Sequence, residues 1–134
     1  MRPENLTRFL NVDLELVATI ELDVLLEHFA AATITLRDSV DDGKRTVWIE
    51  LAGDPQDLET AIGSFVQLVS ALPPDTRRLW DACEDRCMNV GIQGGLGPQA
   101  TAFRIPADAL AALAAVSARL EFTVYAAGAT PERR

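Results

Sequence analysis

The sequence predicts an α+β protein, a two-layer sandwich in which helices cover one face of a mainly antiparallel sheet. Several segments alternate strictly between apolar and polar residues, which is typical of strands with one buried and one wet face. The pair Asp42-Gly43 separates two such segments and is a strong hairpin signal. Other segments place apolar residues at helical spacing. The predicted order is βαββα(α)ββαβ, whose first six elements match a ferredoxin-like βαββαβ unit.

The first two predicted elements are a strand and a helix. "RFLNVDLELV" alternates, and one face of its strand carries Leu10, Val12, Leu14 and Leu16. The other face carries Asn11, Asp13 and Glu15. After Thr19, a predicted cap, "IELDVLLEHFAA" has helical spacing of Leu22, Leu25, Leu26 and Phe29.

A hairpin follows, because a type I′ turn needs positive φ at both central residues and Asp-Gly tolerates it. With Asp42 and Gly43 as its loop, the strands pair Leu36 with Ile49, Ile34 with Leu51, Arg37 with Trp48, and Thr35 with Glu50. Apolar residues then meet apolar ones and polar residues meet polar ones, as a strand register requires. Trp48 is therefore expected to point away from the core.

The middle of the chain reads as two helices. "GDPQDLETAIGSFVQLVSALPP" predicts a helix with Asp54 as N-cap and Pro55 at its first position. Pro73-Pro74 ends it, and "DTRRLWDACEDR" predicts a short helix capped by Asp75.

The last third of the chain predicts two strands, a helix and a closing strand. "CMNVGI" and "TAFRI" are the strands, joined by a glycine-rich connection. "PADALAALAAVSAR" predicts the helix. In the closing strand, "LEFTVY", the residues expected to point inward are Leu120, Phe122 and Val124.

Length and charge limit the possible functions. With 134 residues, 49% of them hydrophobic, the chain has the size of a single domain over 1–134, with flexible tails expected at 1–6 and 128–134. Its 20 acidic and 12 basic residues give a net charge of −8, which disfavours nucleic acid and anionic membranes as partners. No export signal or apolar span is evident, so we expect a cytoplasmic protein with reduced cysteines.

Neither of two conspicuous motifs supports a metal or a cofactor. Cys83 and Cys87 are four residues apart, but a structural zinc site needs four ligands and His28 is the only histidine. Four glycines follow at Gly91, Gly94, Gly95 and Gly97. A phosphate-binding loop would need a Lys-Ser/Thr pair or a helix directly after them, and the only lysine, Lys44, lies in the hairpin turn. We therefore predict no metal and no cofactor.

Catalytic motifs are equally sparse. Any Ser-His or Cys-His mechanism would have to use His28, which lies on the flank of an amphipathic helix. Ser64 is in the middle of a helix rather than on a nucleophile elbow. We predict no catalytic residues, and an enzymatic role is disfavoured without being excluded.

The outer face of the sheet is the predicted binding surface. An outward-pointing tryptophan and tyrosine among charged residues have the composition of an interface hot spot. The residues proposed for this surface are Arg37, Trp48, Glu50, Arg104 and Tyr125. The alternative, that the chain's own loops cover this face, stays open at the level of sequence.

Three stretches carry a resemblance to known families: "FLNVDLEL", "WIEL" and "FRIPADALAALAAVSARLEFTVY". They resemble small bacterial α+β families, some of whose members are immunity proteins of polymorphic toxin systems. The resemblance implies a stand-alone domain without established enzymatic activity. The expected function is non-enzymatic binding to another protein or to itself, including a homodimer. The alternative is a cofactor-free enzyme or small-molecule binder with a pocket near the glycine-rich connection, 91–98.

Overall fold

A computed structural model describes residues 5–53, 55 and 57–128 and shows a mixed α+β chain, as predicted. Its strands are β1 (Arg8–Ala18), β2 (Thr33–Asp41), β3 (Lys44–Leu51), β4 (Asp85–Gln93) and β5 (Arg119–Tyr125). Its helices are α1 (Asp23–Phe29), α2 (Leu58–Ser70), α3 (Pro74–Asp81) and α4 (Ala107–Ala115). None of these helices, within the described residues, has the length and apolar character needed to cross a membrane.

The five strands form one sheet in the order β2-β3-β1-β4-β5. Neighbouring strands are antiparallel except β4 and β5, which are parallel and are joined through α4. A parallel pair needs such a crossover because a tight turn can only reverse the chain. The strand β1 therefore lies in the middle of the sheet, with two strands on either side.

The strand predicted at "TAFRI" is wrong, because residues 101–105 form no strand. The observed order is βαββααβαβ. Phe103 and Ile105 pack against the edge of the core while Arg104 is exposed. This packing gives the segment the alternating pattern of a strand without any strand pairing.

The hairpin between β2 and β3 has the predicted turn but only part of the predicted register. Asp42 and Gly43 have φ values of 53° and 77°, and Arg37 lies opposite Trp48 as expected. A bulge between Thr35 and Arg37 then shifts the pairing by one residue. The observed pairs are Thr35 with Ile49 and Ile34 with Glu50, so the predicted pairs of Leu36 with Ile49, Ile34 with Leu51 and Thr35 with Glu50 are wrong.

Three helices begin at residues other than the predicted ones. The helix α1 begins at Asp23, whose backbone N–H donates to Glu21, and not after Thr19. The cap of α2 is Asp57, which accepts a hydrogen bond of 2.7 Å from the Thr60 N–H. The predicted cap Asp54 lies outside the described residues. The helix α3 begins at Pro74 without a side-chain cap, so Asp75 lies inside the helix rather than before it.

The core lies between one face of the sheet and the helices. It contains Leu14 and Leu16 of β1, which are fully buried, together with apolar side chains from all four helices. Trp80 of α3 is its largest buried side chain; its ring edge packs on Phe29 with the centroids 6.4 Å apart. The Trp80 Nε1–H donates a 2.8 Å bond to the Val116 carbonyl, which satisfies the polar atom of this buried ring.

The glycine-rich connection after β4 runs against the beginning of the chain. Gly95 N–H donates to Thr7 Oγ1, Leu96 N–H donates to the Asn5 carbonyl, and Thr7 N–H donates to the Gly97 carbonyl. A Cβ placed on Gly95 would lie 2.4 Å from the Asn5 carbonyl oxygen. Glycine is therefore required here for close approach of two backbones. The same bonds hold Asn5, which the sequence predicts to lie in a flexible tail. Residues 1–4 and 129–134 of the predicted tails lie outside the described residues.

Arg45 of β3 ties two strands to α1. Its guanidinium donates two bonds to the Asp38 carboxylate, of 2.9 and 2.7 Å, and one of 2.8 Å to Asp23. A longer bond of 3.2 Å reaches Glu21. The hydrogen bond and charge of Arg45 lower the pKa of Asp38 below its ordinary value of 3.8, although partial burial opposes the shift.

We expect Gly95→Ala to lower the free energy of unfolding by more than about 2 kcal/mol, because the added methyl group meets backbone atoms that cannot move independently. The control is Gly63→Ala in α2, where nothing lies within 4 Å of the new methyl group. Alanine should there raise the stability by about 0.5–1 kcal/mol. Urea denaturation of both variants measures the difference, and equal stabilities would contradict the close backbone approach.

We expect Arg45→Met to lower the free energy of unfolding by about 1 kcal/mol at neutral pH. Each of the three ion pairs of Arg45 is weak because its carboxylate is largely exposed, but the variant removes all three together. Asp38 has a lowered pKa in the folded protein, so its contribution is complete above its unfolded pKa and disappears as the pH falls through the folded value. The difference from wild type should therefore shrink below about pH 4.

Lys44→Gln is the matched control, because Lys44 makes a single exposed pair with Glu84 at 3.0 Å. It should cost less than about 0.5 kcal/mol. Denaturation at a series of pH values measures both variants. A cost for Arg45→Met that stays constant down to acidic pH would contradict the role of Asp38.

Candidate functional site

The candidate site is the outer face of the sheet, defined as the strand side chains that point away from the core. The strand register aligns these side chains in rows across the sheet. One row consists of Arg37, Trp48, Glu15, Cys87 and Arg119. The next row consists of Ile34, Glu50, Asp13, Asn89 and Glu121. Facing residues on adjacent strands are about 5 Å apart, so each row is a set of direct neighbours.

Trp48 occupies the position that the sequence predicts. It alternates along β3 with the buried Val47 and Ile49, and its own side chain is half-buried. Its neighbours across the strands are Arg37 on one side and Glu15 on the other. The indole therefore stands on the outer face between a cation and a carboxylate, with part of its surface open to solvent.

Four carboxylates on the face form an acidic patch beside Trp48: Asp13, Glu15, Glu50 and Glu121. Asp13 lies directly opposite Glu50 in the β1–β3 pair. Like charges in this arrangement repel and lower the stability of a sheet. The Asn11 side-chain amide donates a 3.1 Å bond to Asp13, which reduces part of this repulsion.

Asn89 of β4 fixes the carboxylates on the β5 side of the patch. Its amide nitrogen donates a 2.8 Å bond to Glu121 and a longer bond of 3.4 Å to Glu15. Its amide oxygen accepts a 2.9 Å bond from the Thr123 hydroxyl. Asn89 is 7% exposed, so this network is held within the sheet rather than freely solvated.

Arg119 closes the end of the face at β5. Its guanidinium makes two bonds to Asp85, of 2.8 and 2.9 Å, and a third of 3.3 Å to Glu121. The hydrogen bonds and charge of Arg119 lower the pKa of Asp85. Arg119 is thus already paired with carboxylates of its own protein, and it stands at one end of its row while Arg37 stands at the other.

Cys87 is fully buried beneath two of these carboxylates. Its Sγ and one oxygen each of Glu15 and Glu121 lie within 4.8 Å of one another, a spacing that a metal ion could bridge. Burial raises the pKa of Cys87 to about 12, with Arg119 opposing the shift and the carboxylates adding to it. The thiol is therefore protonated at neutral pH in the metal-free protein, and a metal bound there would have to displace its proton. The Asn89 amide, a donor, already bonds to both carboxylates.

The second cysteine does not join this cluster. Cys83 follows α3, is 5% exposed and directs its Sγ to the Leu79 carbonyl at 3.5 Å. Burial raises its pKa to about 11, and the nearby Arg86 opposes the shift. The two thiols thus point into different surroundings despite their spacing in sequence.

Two of the predicted site residues lie apart from the other three. Arg37, Trp48 and Glu50 are neighbours on the hairpin, but Arg104 lies beside the beginning of α2, near Asp57 and Thr60. Tyr125 ends β5, opposite Gln93. Three strand spacings and six residues along the strands separate Tyr125 from Trp48, which amounts to roughly 25 Å. Tyr125 and Trp48 therefore cannot belong to one compact patch.

The structure adds residues that sequence reasoning did not assign to the site: Asp13, Glu15, Asn89 and Glu121. The alternation of β1 placed Asp13 and Glu15 on the polar face, which was a usable signal. The sequence does not predict that Asn89 and Glu121 lie next to them, because it does not show that β4 pairs with β1 and that β5 pairs in parallel with β4.

One cavity includes Glu50 of the acidic patch, and two others lie away from the outer-face acids. One of these two, of about 840 Å³, is a groove between the end of β3 and α2. Its polar side chains are Ser64 and Gln67, and its other lining residues are apolar or glycine. The cavity beside the glycine-rich connection has about 140 Å³ and is lined by Asn5, Gly95, Leu96, Ala127 and Gly128.

Comparisons of the chain with protein-family models, curated proteins and solved structures give no match. A function therefore has to be inferred from the chemistry of the outer face and the cavities.

We expect iodoacetamide to modify neither cysteine of the folded protein in neutral or mildly alkaline buffer. The reactive species is the thiolate, and the raised pKa values of Cys83 and Cys87 keep both thiols protonated while burial blocks access. Both should react once denaturant unfolds the chain. Mass spectrometry of Cys83→Ser and Cys87→Ser assigns each site, and rapid native labelling of Cys87 would contradict the described burial.

Proposed function

We propose that the protein is a non-enzymatic binding module whose outer face binds a protein with a surface rich in lysine and arginine. The observation that carries this proposal is the acidic patch, Asp13, Glu15, Glu50 and Glu121, next to the half-buried Trp48. The resemblance to immunity families points the same way, since such proteins act by binding another protein.

Charge supports a basic partner. The whole chain has a net charge of −8, so its field attracts a cationic surface and accelerates encounter. At the patch itself, Asp13 lies directly opposite Glu50, so two carboxylates converge at one point of the face. A lysine or arginine of the partner placed there would be attracted by both carboxylates.

Trp48 supplies the apolar anchor that the acids lack. Tryptophan is enriched among residues that dominate interface energies, because its ring buries a large area and loses little side-chain freedom. The ring is already partly held in place in the free protein, because the neighbouring strands partly bury it. An anchor surrounded by charged residues also fits the general anatomy of interfaces, an apolar centre with a polar rim.

A small-molecule or enzymatic function has less support. The cavity near 91–98, the predicted alternative site, has about 140 Å³, below the roughly 300 Å³ at which ligand pockets begin. The groove of about 840 Å³ is large enough but has no ionisable side chain among its lining residues within the described chain. His28 is exposed on α1 and does not line that groove. Catalysis would need convergent titratable groups that these cavities do not offer.

Site-directed photo-crosslinking in the source cell tests the binding surface. A photoreactive phenylalanine analogue at Thr46, two residues before Trp48 on the same face, should capture the partner. The same analogue at Val24, which is 49% exposed on α1, is the control and should not capture it. The captured protein is then purified and titrated with the unmodified chain. Equal capture at both positions, or a captured protein with an acidic surface, would refute the proposal.

We expect Trp48→Ala and Glu50→Lys each to weaken binding to the captured protein at least tenfold, about 1.4 kcal/mol. Added salt should weaken wild-type binding because the contact is electrostatic. Glu27→Lys makes the same change of charge on an exposed position of α1 and should leave the affinity nearly unchanged. Calorimetric titration measures all three variants.

The variant Glu50→Lys also separates binding from folding. Its lysine would face Asp13, and thermal melting measures whether the fold keeps its stability. Loss of binding with unchanged or higher stability assigns Glu50 to the partner surface. Tight binding by Glu50→Lys would remove the acidic patch from the interface.

A further inference from the structure

We propose that β5 is the self-association edge of the protein, and that two copies pair antiparallel through it around a two-fold axis at Phe122. This surface shares only Glu121 with the acidic patch, since it uses the open backbone edge of β5 and the core-facing side chains beside it. Within the described residues, β4 is the only strand that pairs with β5. Its other edge is therefore available in that part of the chain.

The side chains beside this edge are unusually apolar for a surface. Leu120, Phe122 and Val124 pair with the core residues Met88, Val90 and Ile92, so they lie on the helix side of the sheet. Yet Phe122 is 48% exposed and Val124 is 63% exposed. The neighbouring helix α4 packs against α2.

The two edges of the sheet differ in their protection. The other edge, β2, is interrupted by the bulge between Thr35 and Arg37 and carries the charged residues Arg37, Asp38 and Asp41. Bulges and charges are common means by which edge strands avoid pairing with other chains. The register of β5 against β4 is regular over all seven residues, without proline or glycine. Its last four residues, "FTVY", are uncharged and favour strand structure.

The direction of the backbone N–H and C=O groups of β5 determines which residues can bond to a second copy. The Tyr125 carbonyl accepts a bond from the Gly94 N–H, so Tyr125 turns its backbone groups towards β4. Because successive residues of a strand alternate, the N–H and C=O groups of Leu120, Phe122 and Val124 point to the open edge. Phe122 is the middle residue of β5, and a two-fold axis there pairs the whole strand. Each of the three outward-pointing residues then exchanges hydrogen bonds with its counterpart.

This register is also complementary in its side chains. On the helix side, Phe122 meets Phe122 of the second copy, and Leu120 meets Val124. On the outer face, Arg119 lies opposite Tyr125, an arrangement that allows a cation–π contact. Glu121 lies opposite Thr123, so no like charges face each other. An axis at Glu121 would instead place two glutamates together, and an axis at Thr123 would leave Leu120 without a partner inside the strand.

Charge exchange at position 122 tests the axis directly, because only a residue on the axis meets its own copy. Analytical ultracentrifugation of the wild type should give the mass of a dimer, and the dimer should dissociate on dilution. Phe122→Lys and Phe122→Glu should each give the mass of one chain, since like charges then oppose each other. An equimolar mixture of the two variants should restore the mass of two chains.

Two further variants distinguish edge pairing from other effects. Val40→Lys changes an apolar residue of β2 that is 70% exposed and should leave the dimer intact. Val124→Pro removes an outward N–H without adding charge and should dissociate the dimer, while edge strands tolerate proline. Circular dichroism verifies that each variant is folded. We expect the variants to fold because the side chains of Phe122 and Val124 are largely exposed.

The proposal is overturned if the wild type has the mass of one chain at every concentration, or if Phe122→Lys remains a dimer. It is also overturned if the lysine and glutamate variants do not combine, because the axis then lies elsewhere. Trp48→Ala should leave the dimer unchanged, and Phe122→Lys should still bind the captured partner. Failure of self-association and failure of the proposed partner surface can thus be told apart.

Discussion

The alternation of β1 from Val12 to Ala18 is the constraint on which the rest of the structure depends. This strand lies in the middle of the sheet, and its apolar residues Leu14 and Leu16 are fully buried against the helices. The same two-residue period places Asp13 and Glu15 on the opposite face. A slip of one residue would bury two carboxylates and expose two leucines, so β1 has a single acceptable register. The neighbouring strands inherit this division into an apolar and an acidic face.

The acidic face is stabilised locally rather than by the core. Two of its carboxylates bond to the Asn89 amide, and Arg119 holds Asp85 and Glu121 at the end of the row. Asp13 lies directly opposite Glu50 in the strand register and accepts a 3.1 Å bond from the Asn11 side-chain amide.

The sequence predicts much of this fold and less of the site. Alternation and the Asp-Gly turn correctly predict β1 from Val12 onwards, the hairpin turn and the outward direction of Trp48. The predicted place of Leu10 on the core face is wrong, because a register shift between Phe9 and Asn11 brings Phe9 against the core instead. The bulge after Thr35 leaves no comparable signal, because Ile34 and Leu36 are apolar in either register. The segment at 101–105 has the alternating sequence pattern of a strand because its apolar residues pack against the edge of the core. The meeting of Glu15, Asn89 and Glu121 depends on long-range pairing of three strands, which no local pattern encodes.

The bulge in β2 also bears on the size of assembly that the sheet permits. A sheet with two regular edges can add copies at both ends and grow without limit, as open-ended association does. Here the edge at β2 is irregular and charged, and the proposed pairing of β5 with itself uses the regular edge completely. The proposed assembly would therefore be closed at two chains. In that assembly, one extra residue in a strand far from the contact would keep the sheet from adding further copies.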